Sequence, residues 1–360
     1  MIPVTKPYLP PMSKYQRYLD GIYERQWLTN FGPLTEELTH RLEDYLGVKN
    51  LLLVANGTLA LQLAYRALSI TGSAITTPYT FVATSSSLKW EGIHPVFSDI
   101  EMSRFNLDPR SIQSMYQPDC SAIVPVHVYG NPCDVEKIDS VANKLNLKVI
   151  YDAAHAFGVK FKGKSILSYG DASTLSLHAT KVFHSTEGGG IIFKNKEDLE
   201  RATQMINFGI NTSNGIIENP GINAKMSELH AAMGLSVLDD IDNIINRRIE
   251  IITNYERTLD VCAIFPKALE DATRNGAYAP IVLESNAVRN RVFQNLKEHG
   301  ILSRPYFYPA LHNSPTFHSS IYGNYPNASY IADRVLCLPP YYDLSKEDQA
   351  KICRLVMEAT

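Results

Sequence analysis

Leu175-Ser-Leu-His-Ala-Thr-Lys-Val-Phe-His-Ser-Thr-Glu-Gly-Gly-Gly190 places one lysine, Lys181, between an alternating strand-like run and a glycine turn. Ser176 and His178 fall on one face of that run, Thr180 continues the face, and Lys181 stands just beyond it. Upstream, the apolar Lys148-Val-Ile-Tyr151 ends on Asp152, and a carboxylate at a buried strand end needs a cationic or hydrogen-bonded partner. By itself Asp152 would read as a helix N-cap. Together, Asp152 and Lys181 read as a site for pyridoxal 5'-phosphate. A lysine can hold the aldehyde of that cofactor as a Schiff base, and an aspartate can keep its pyridine nitrogen protonated, which makes the ring an electron sink. Glu187-Gly-Gly-Gly190 would turn the chain back beneath the lysine, with glycines where side chains would collide.

Working outward, short apolar runs alternate with segments of helical period, the pattern of an α/β domain with a largely parallel sheet flanked by helices. Strands are expected at Leu51–Val54, Ala74–Thr77, His94–Phe97, Ala122–Val128, Lys148–Tyr151, Ser173–Leu177 and Gly190–Phe193. Helices are expected at 59–68 and at 135–145, the second capped by Asp134. Residues 226–259 read as one long helical tract. After Ala277 come a strand at 279–283, a helix at 288–299 and a final helix from Lys346 that Ser345 can cap. The expected division is a large cofactor-binding domain with the N-terminal segment, 1–245, and a small C-terminal α+β domain, 246–360.

The chain has 360 residues, 45% hydrophobic and 20% charged, with a formal net charge of -3. That balance gives no sign of a nucleic-acid or acidic-membrane partner. Five scattered cysteines form no CxxC pair, which fits a reducing, cytoplasmic setting. Three prolines before residue 12, no apolar signal core and no run of ~20 apolar residues argue against secretion and membrane insertion.

Asn56-Gly-Thr58 joins the first strand to its helix. Backbone N–H groups at that helix start make an anion site, and Gly57 permits close approach of a phosphate; a plain tight turn is the other reading. His155 either flanks the cofactor ring or is a structural histidine. GxSxG, HExxH, Walker and GxGxxG patterns are all missing from the sequence. The intervals of His178, His184 and Glu187 match no standard zinc spacing, so no metal is expected. A hydrolase or metal enzyme using His178, His184 and Asp152 is the rival of a different class.

The chain resembles, over nearly its whole length, the sugar aminotransferases of the DegT/DnrJ/EryC1/StrS family, fold type I pyridoxal phosphate enzymes acting on nucleotide-linked keto-sugars. The resemblance rests on Trp27-Leu-Thr-Asn-Phe-Gly-Pro33, Asn56-Gly-Thr58, Thr77-Pro-Tyr-Thr-Phe-Val-Ala-Thr84, Asp152-Ala-Ala-His-Ala-Phe-Gly158, Ser176-Leu-His-Ala-Thr-Lys181, Glu187-Gly-Gly189, Gly221-Ile-Asn-Ala-Lys-Met-Ser-Glu228 and Tyr308-Pro-Ala-Leu-His312. It implies that Lys181 holds the cofactor, Asp152 partners its ring nitrogen, and Asn56, Gly57, Thr58 and Ser176 form the phosphate cradle. Phe81 would stack on the ring and His155 would neighbour it. Asn223 would reach the phosphate held by a neighbouring subunit, which implies a homodimer with shared active sites. Lys225, Tyr308 and His312 are the expected substrate contacts.

The retained lysine separates this chain from family dehydratases that carry histidine there. The form of the lysine motif resembles the branch that moves an amino group from L-glutamate to C4 of dTDP-4-keto-6-deoxy-D-glucose, a step of deoxyamino sugar biosynthesis for O-antigens or other glycoconjugates. C3 amination, a UDP-linked sugar and a non-catalytic cofactor-binding regulator are the alternatives.

Overall fold

Short runs rich in Ile, Leu and Val, too brief for helices and bounded by turn residues, assemble side by side as strands. The computed structural model describes residues 1–320 and 322–360. Its strands are β1 (Leu51–Val54), β2 (Ser73–Thr76), β3 (His94–Phe97), β4 (Cys120–Val124), β5 (Lys148–Asp152), β6 (Lys160–Phe161), β7 (Lys164–Ser165), β8 (Ala172–Ser176), β9 (Gly189–Phe193), β10 (Ala279–Val282) and β11 (Val335–Leu338). The helices are α1 (Met12–Arg25), α2 (Pro33–Leu46), α3 (Gly57–Ala67), α4 (Val82–Trp90), α5 (Pro109–Met115), α6 (Val135–Leu145), α7 (Lys196–Met205), α8 (Glu228–Leu238), α9 (Ile241–Leu259), α10 (Asn286–Glu298), α11 (Pro326–Arg334) and α12 (Lys346–Ala359).

A seven-stranded sheet runs in the order β1-β9-β8-β5-β4-β2-β3. All neighbours are parallel except at β9, which is antiparallel to both β1 and β8. The mixed sheet carries an apolar layer on each face. One contains α2, α6 and α8, the other α3 and α7. Both faces are therefore covered, as a parallel sheet requires. Crossovers bring the C-terminal ends of β5 and β8 to one edge, where Asp152 and Ser176 end their strands. The antiparallel pair β10–β11 packs with α10 and α12 around a separate apolar cluster.

Three expectations are corrected. The tract 226–259 is two helices, because the chain bends at Asp239–Asp240. Asp240 is held there by Lys14 Nζ at 2.8 Å and by the Tyr8 hydroxyl at 2.9 Å. The strand expected at 122–128 stops at Val124, since Pro125 has no N–H to donate and Tyr129 turns left-handed at φ 58°. Two helices, α1 and α2, precede the first strand where no element was expected. The caps at Asp134 and Ser345 form as expected, accepting from the Lys137 and Asp348 amides.

Glu228 supplies the start of α2 from a distance. Gly32 and Pro33 offer no capping side chain, so the buried Glu228 carboxylate accepts from the amides of Leu34 and Thr35 and from the Thr35 hydroxyl at 2.7–2.9 Å. An anion at a helix N-terminus is favoured by the helix dipole. Arg248, buried on α9, donates to the carbonyls of Gly276 and Ala277 at 2.8 and 2.9 Å, fixing the backbone just before Tyr278.

Candidate active site

Lys181 sits at the tip of a loop that prolongs the β8–β9 pairing. Leu177 N donates to the Gly188 carbonyl and Ala179 N to that of Thr186, both at 2.8 Å, and Lys181 N closes a turn onto the His178 carbonyl at 2.9 Å. Val182 and Phe183 are buried immediately after it. The Phe183 ring stacks on Phe157 with centroids 4.5 Å apart, an anchor worth ~1 kcal/mol beyond burial. Lys181 is thereby turned into a cavity of about 430 Å³ that is also lined by Asn56, Gly57, Thr58, Phe81, Asp152, His155 and Ser176. Eight sequence-derived positions thus converge on one cavity.

At its floor, the Asn56 side chain accepts from Leu59 N at 2.9 Å and its carbonyl takes Ala60 N. The first amides of α3, those of Gly57 and Thr58, have no intrahelical acceptor and belong to an anion site. A Cβ on Gly57 would come 2.9 Å from Ser176 Cβ, and one on Gly189 would meet the Asn56–Gly57 backbone, 2.8 Å from Gly57 N. Both glycines let helix and hairpin approach closely, which brings Ser176 beside the start of α3.

Asp152 is buried and accepts from Thr84 Oγ1 at 2.7 Å and Ala154 N at 3.1 Å. Burial raises its pKa; those hydrogen bonds and the charge of Lys181 oppose the rise. Burial also draws Lys181 down to about 8, against a pull upward from Asp152. His155, stripped of water and close to Lys181, is held well below the usual histidine range and is neutral. Its Nδ1 accepts from Tyr129 N at 3.3 Å, and its ring lies 6.0 Å from that of Phe307 and nearly parallel to it. A buried carboxylate that lacks a full counter-charge, a desolvated amine and a pair of free helix-start amides fit pyridoxal phosphate in charge and in order.

Four expected positions lie outside this cavity. Asn223 is exposed on the strand-like segment opposite Asn207. Lys225 donates to Asn207 Oδ1 at 2.8 Å. Tyr308 is exposed beside the Arg289 guanidinium, 4.4 Å from its ring centroid. His312 bonds the Ser329 hydroxyl at 2.9 Å and packs against Tyr325. Sequence reasoning missed Thr84, Tyr278, Arg304, Tyr306 and Phe307. All but Thr84 line the cavity, while Thr84 acts behind Asp152. Arg304 packs 4.8 Å from the Tyr306 ring and forms no ion pair among the described residues. An arginine-aromatic cluster, Arg304-Pro-Tyr-Phe-Tyr308, was the available signal.

His184 donates through Nε2 to the Tyr8 carbonyl at 2.7 Å and accepts from Thr186 N at Nδ1, and among the described residues no three His, Cys, Asp or Glu side chains converge. No helix among them is long and apolar enough to cross a membrane.

Residues 12–357 match the DegT/DnrJ/EryC1/StrS aminotransferase family. The chain is 43% identical to a dTDP-4-amino-4,6-dideoxy-D-glucose transaminase of Escherichia coli, over 99% of this chain and 98% of that protein. It is 42% identical to a protein of the same name from Shigella dysenteriae, over 96% and 95%. Among solved structures, DesI, studied in the presence of its TDP-sugar product, superimposes with a TM-score of 0.94 at 32% identity, covering 99% of this chain and 92% of that one. On these matches the chain belongs to the DegT/DnrJ/EryC1/StrS family of pyridoxal phosphate-dependent aminotransferases.

Proposed function

We propose that the enzyme moves the amino group of L-glutamate to the C4 keto group of dTDP-4-keto-6-deoxy-D-glucose, giving dTDP-4-amino-4,6-dideoxyglucose and 2-oxoglutarate, as a cytoplasmic homodimer. The observation that carries this reading is the 43% identity, end to end, to a transaminase named for that product. When bound, pyridoxal phosphate would supply a carrier for the amino group and a sink for the electron pair released at the donor Cα.

The chain's own residues do the rest. The amides of Gly57 and Thr58 and the Ser176 hydroxyl hold the phosphate. Asp152, oriented by Thr84 and Ala154, holds a proton on the ring nitrogen. Phe81 and neutral His155 border the ring. Lys181, as a free amine, would accept a proton from the donor Cα and deliver it to the carbon on the other side of the amino nitrogen; in the second half-reaction it would run the same transfer in reverse. An amine drawn down to about 8 is poised for both directions near neutral pH. Arg304, Tyr306 and Phe307 wall the substrate end, so the substrate contacts of that segment are assigned to them, with Tyr308 and His312 behind. The exposed Asn223 and the nearby Lys225 are assigned to the cavity of a second copy.

The test is a product assay. Enzyme, L-glutamate and dTDP-4-keto-6-deoxyglucose should give one 4-amino sugar by NMR, with 2-oxoglutarate in equal amount. A C3-amino product, or turnover only with a UDP-linked sugar, would overturn the substrate assignment.

A further inference from the structure

The cavity holds a polar pair that the chemistry above does not use. In the register of β8 and β9, Ser176 opposes Gly189, and the pairing continues through Leu177 N to the Gly188 carbonyl and Ala179 N to the Thr186 carbonyl. His178 and Glu187 are therefore direct cross-strand neighbours, on the same face as Ser176. Both line the cavity. The Thr180 amide donates to His178 Nδ1 at 3.2 Å, and the Thr180 hydroxyl lies 2.8 Å from the same nitrogen. The ring proton thus belongs on Nε2, which stands 3.5 Å from Glu187 Oε1. Glu187 has no lysine or arginine partner among the described residues.

As a surface ion pair, this contact would contribute little to stability. Its place argues for more. Two residues outward from Ser176 is about 7 Å along the strand, on the mouth side of the phosphate cradle. The His178 carbonyl is the one that closes the Lys181 turn. A carboxylate there accepts hydrogen bonds and repels phosphate, diphosphate and carboxylate groups. What it can serve beside the reacting carbon is a hydroxyl.

We propose that Glu187, oriented by His178, accepts the sugar hydroxyl next to the reacting keto carbon and makes the enzyme selective for sugars that carry it, with His178 as a positioning residue. This rests on the sugar-aminating reading given above. Glu187 would contact substrate in the nucleotide-sugar half-reaction alone.

The experiment measures each half-reaction separately in the cofactor-loaded wild type, Glu187→Gln and His178→Gln, by cofactor absorbance. The acceptors are dTDP-4-keto-6-deoxyglucose and its 3-deoxy analogue. Glu187→Gln should lower kcat/KM about thirtyfold for the 3-hydroxy sugar and less than about threefold for the analogue, erasing the wild-type preference, because a site built for a hydroxyl discriminates through that bond. His178→Gln should show a smaller loss with the same substrate pattern. Both should react with L-glutamate within about threefold of wild type. Equal losses on both sugars, a loss in the glutamate half-reaction, or no loss would each overturn the proposal. If the wild type aminates only a UDP-linked keto sugar, the function above fails, and the same variant ratios with that sugar and its deoxy analogue decide the role of Glu187 independently.

Discussion

Replacing Asp152 with asparagine should remove one charge and little else. In the native site the Thr84 hydroxyl donates to the carboxylate and lies 2.9 Å from the hydroxyl of Thr80. An asparagine whose oxygen stays on the Ala154 amide presents its NH₂ to Thr84. Thr84 then accepts and turns its own proton toward Thr80, which borders the cavity. Because the relay can reverse, unfolding free energy should change by less than ~1 kcal/mol. Catalysis should not survive so well. Removing one member of a buried, hydrogen-bonded charge pair costs several kcal/mol, and ~3 kcal/mol of that at the proton-transfer step is a rate loss of about 160-fold. Stopped-flow absorbance should show both half-reactions of Asp152→Asn slowed by about two orders of magnitude, with cofactor content, measured after alkaline release, within twofold of wild type. Half-reaction rates within threefold of wild type at equal cofactor content would refute the role assigned to the carboxylate.

Burial moves Lys181 down to about 8, so the neutral amine appears at lower pH than in a free lysine. The rate at which cofactor-free protein attaches added cofactor, followed by absorbance, should rise about tenfold from pH 7 to pH 9 and then level off; a rise continuing to pH 10.5 would contradict the shift. Glu228→Ala strips the acceptor from two buried amides and a hydroxyl and should lower stability by ~3 kcal/mol in urea titrations. A loss under ~1 kcal/mol would mean that α2 finds another cap. If sites are shared, mixing Lys181→Ala with an inactive Asn223→Asp should restore activity in proven heterodimers, and mixtures no better than the separate variants would remove Asn223 from the partner's cavity.

The meeting of Asp152 and Lys181 in one cavity was legible because its signals are local: an apolar strand ending on Asp152, and a lysine between a polar strand face and glycines. The Asn56-Gly-Thr58 corner of that cavity was legible for the same reason, as a strand–glycine–helix junction. What escaped depends on distant contacts. Apolar residues keep helical phase from Leu235 through Ile244, and the bend at Asp240 comes from Lys14 and Tyr8, more than 220 residues away. The alternation of Val126-His-Val128 imitates a strand, yet Pro125 interrupts the ladder, which returns only as an isolated bridge from Val126 to Asp152. Arg304, Tyr306 and Phe307 enter the cavity from beyond α10, and Phe307 does so with a left-handed φ of 63° that no local residue preference foretells. Tyr308 belongs to the same aromatic run and is exposed, while the backbone turns its neighbours Tyr306 and Phe307 into the cavity.

Helix α9 has nineteen residues, about 28 Å of continuous hydrogen-bonded rod. Ile241 and Ile244 are embedded in the core beneath the large sheet, whereas Ile251, Ile252, Tyr255 and Leu259 are embedded in the core around β10 and β11. Arg248, between these groups, clamps the strand approach to Tyr278. A rod fixed in two cores has no hinge, since a hinge needs a few residues free to absorb large backbone rotations. The wall bearing Tyr278, Arg304 and Tyr306 is therefore tied to the floor bearing Lys181 like two plates on one axle. Access to the cavity is therefore expected to depend on side chains and short loops rather than on the swing of a domain.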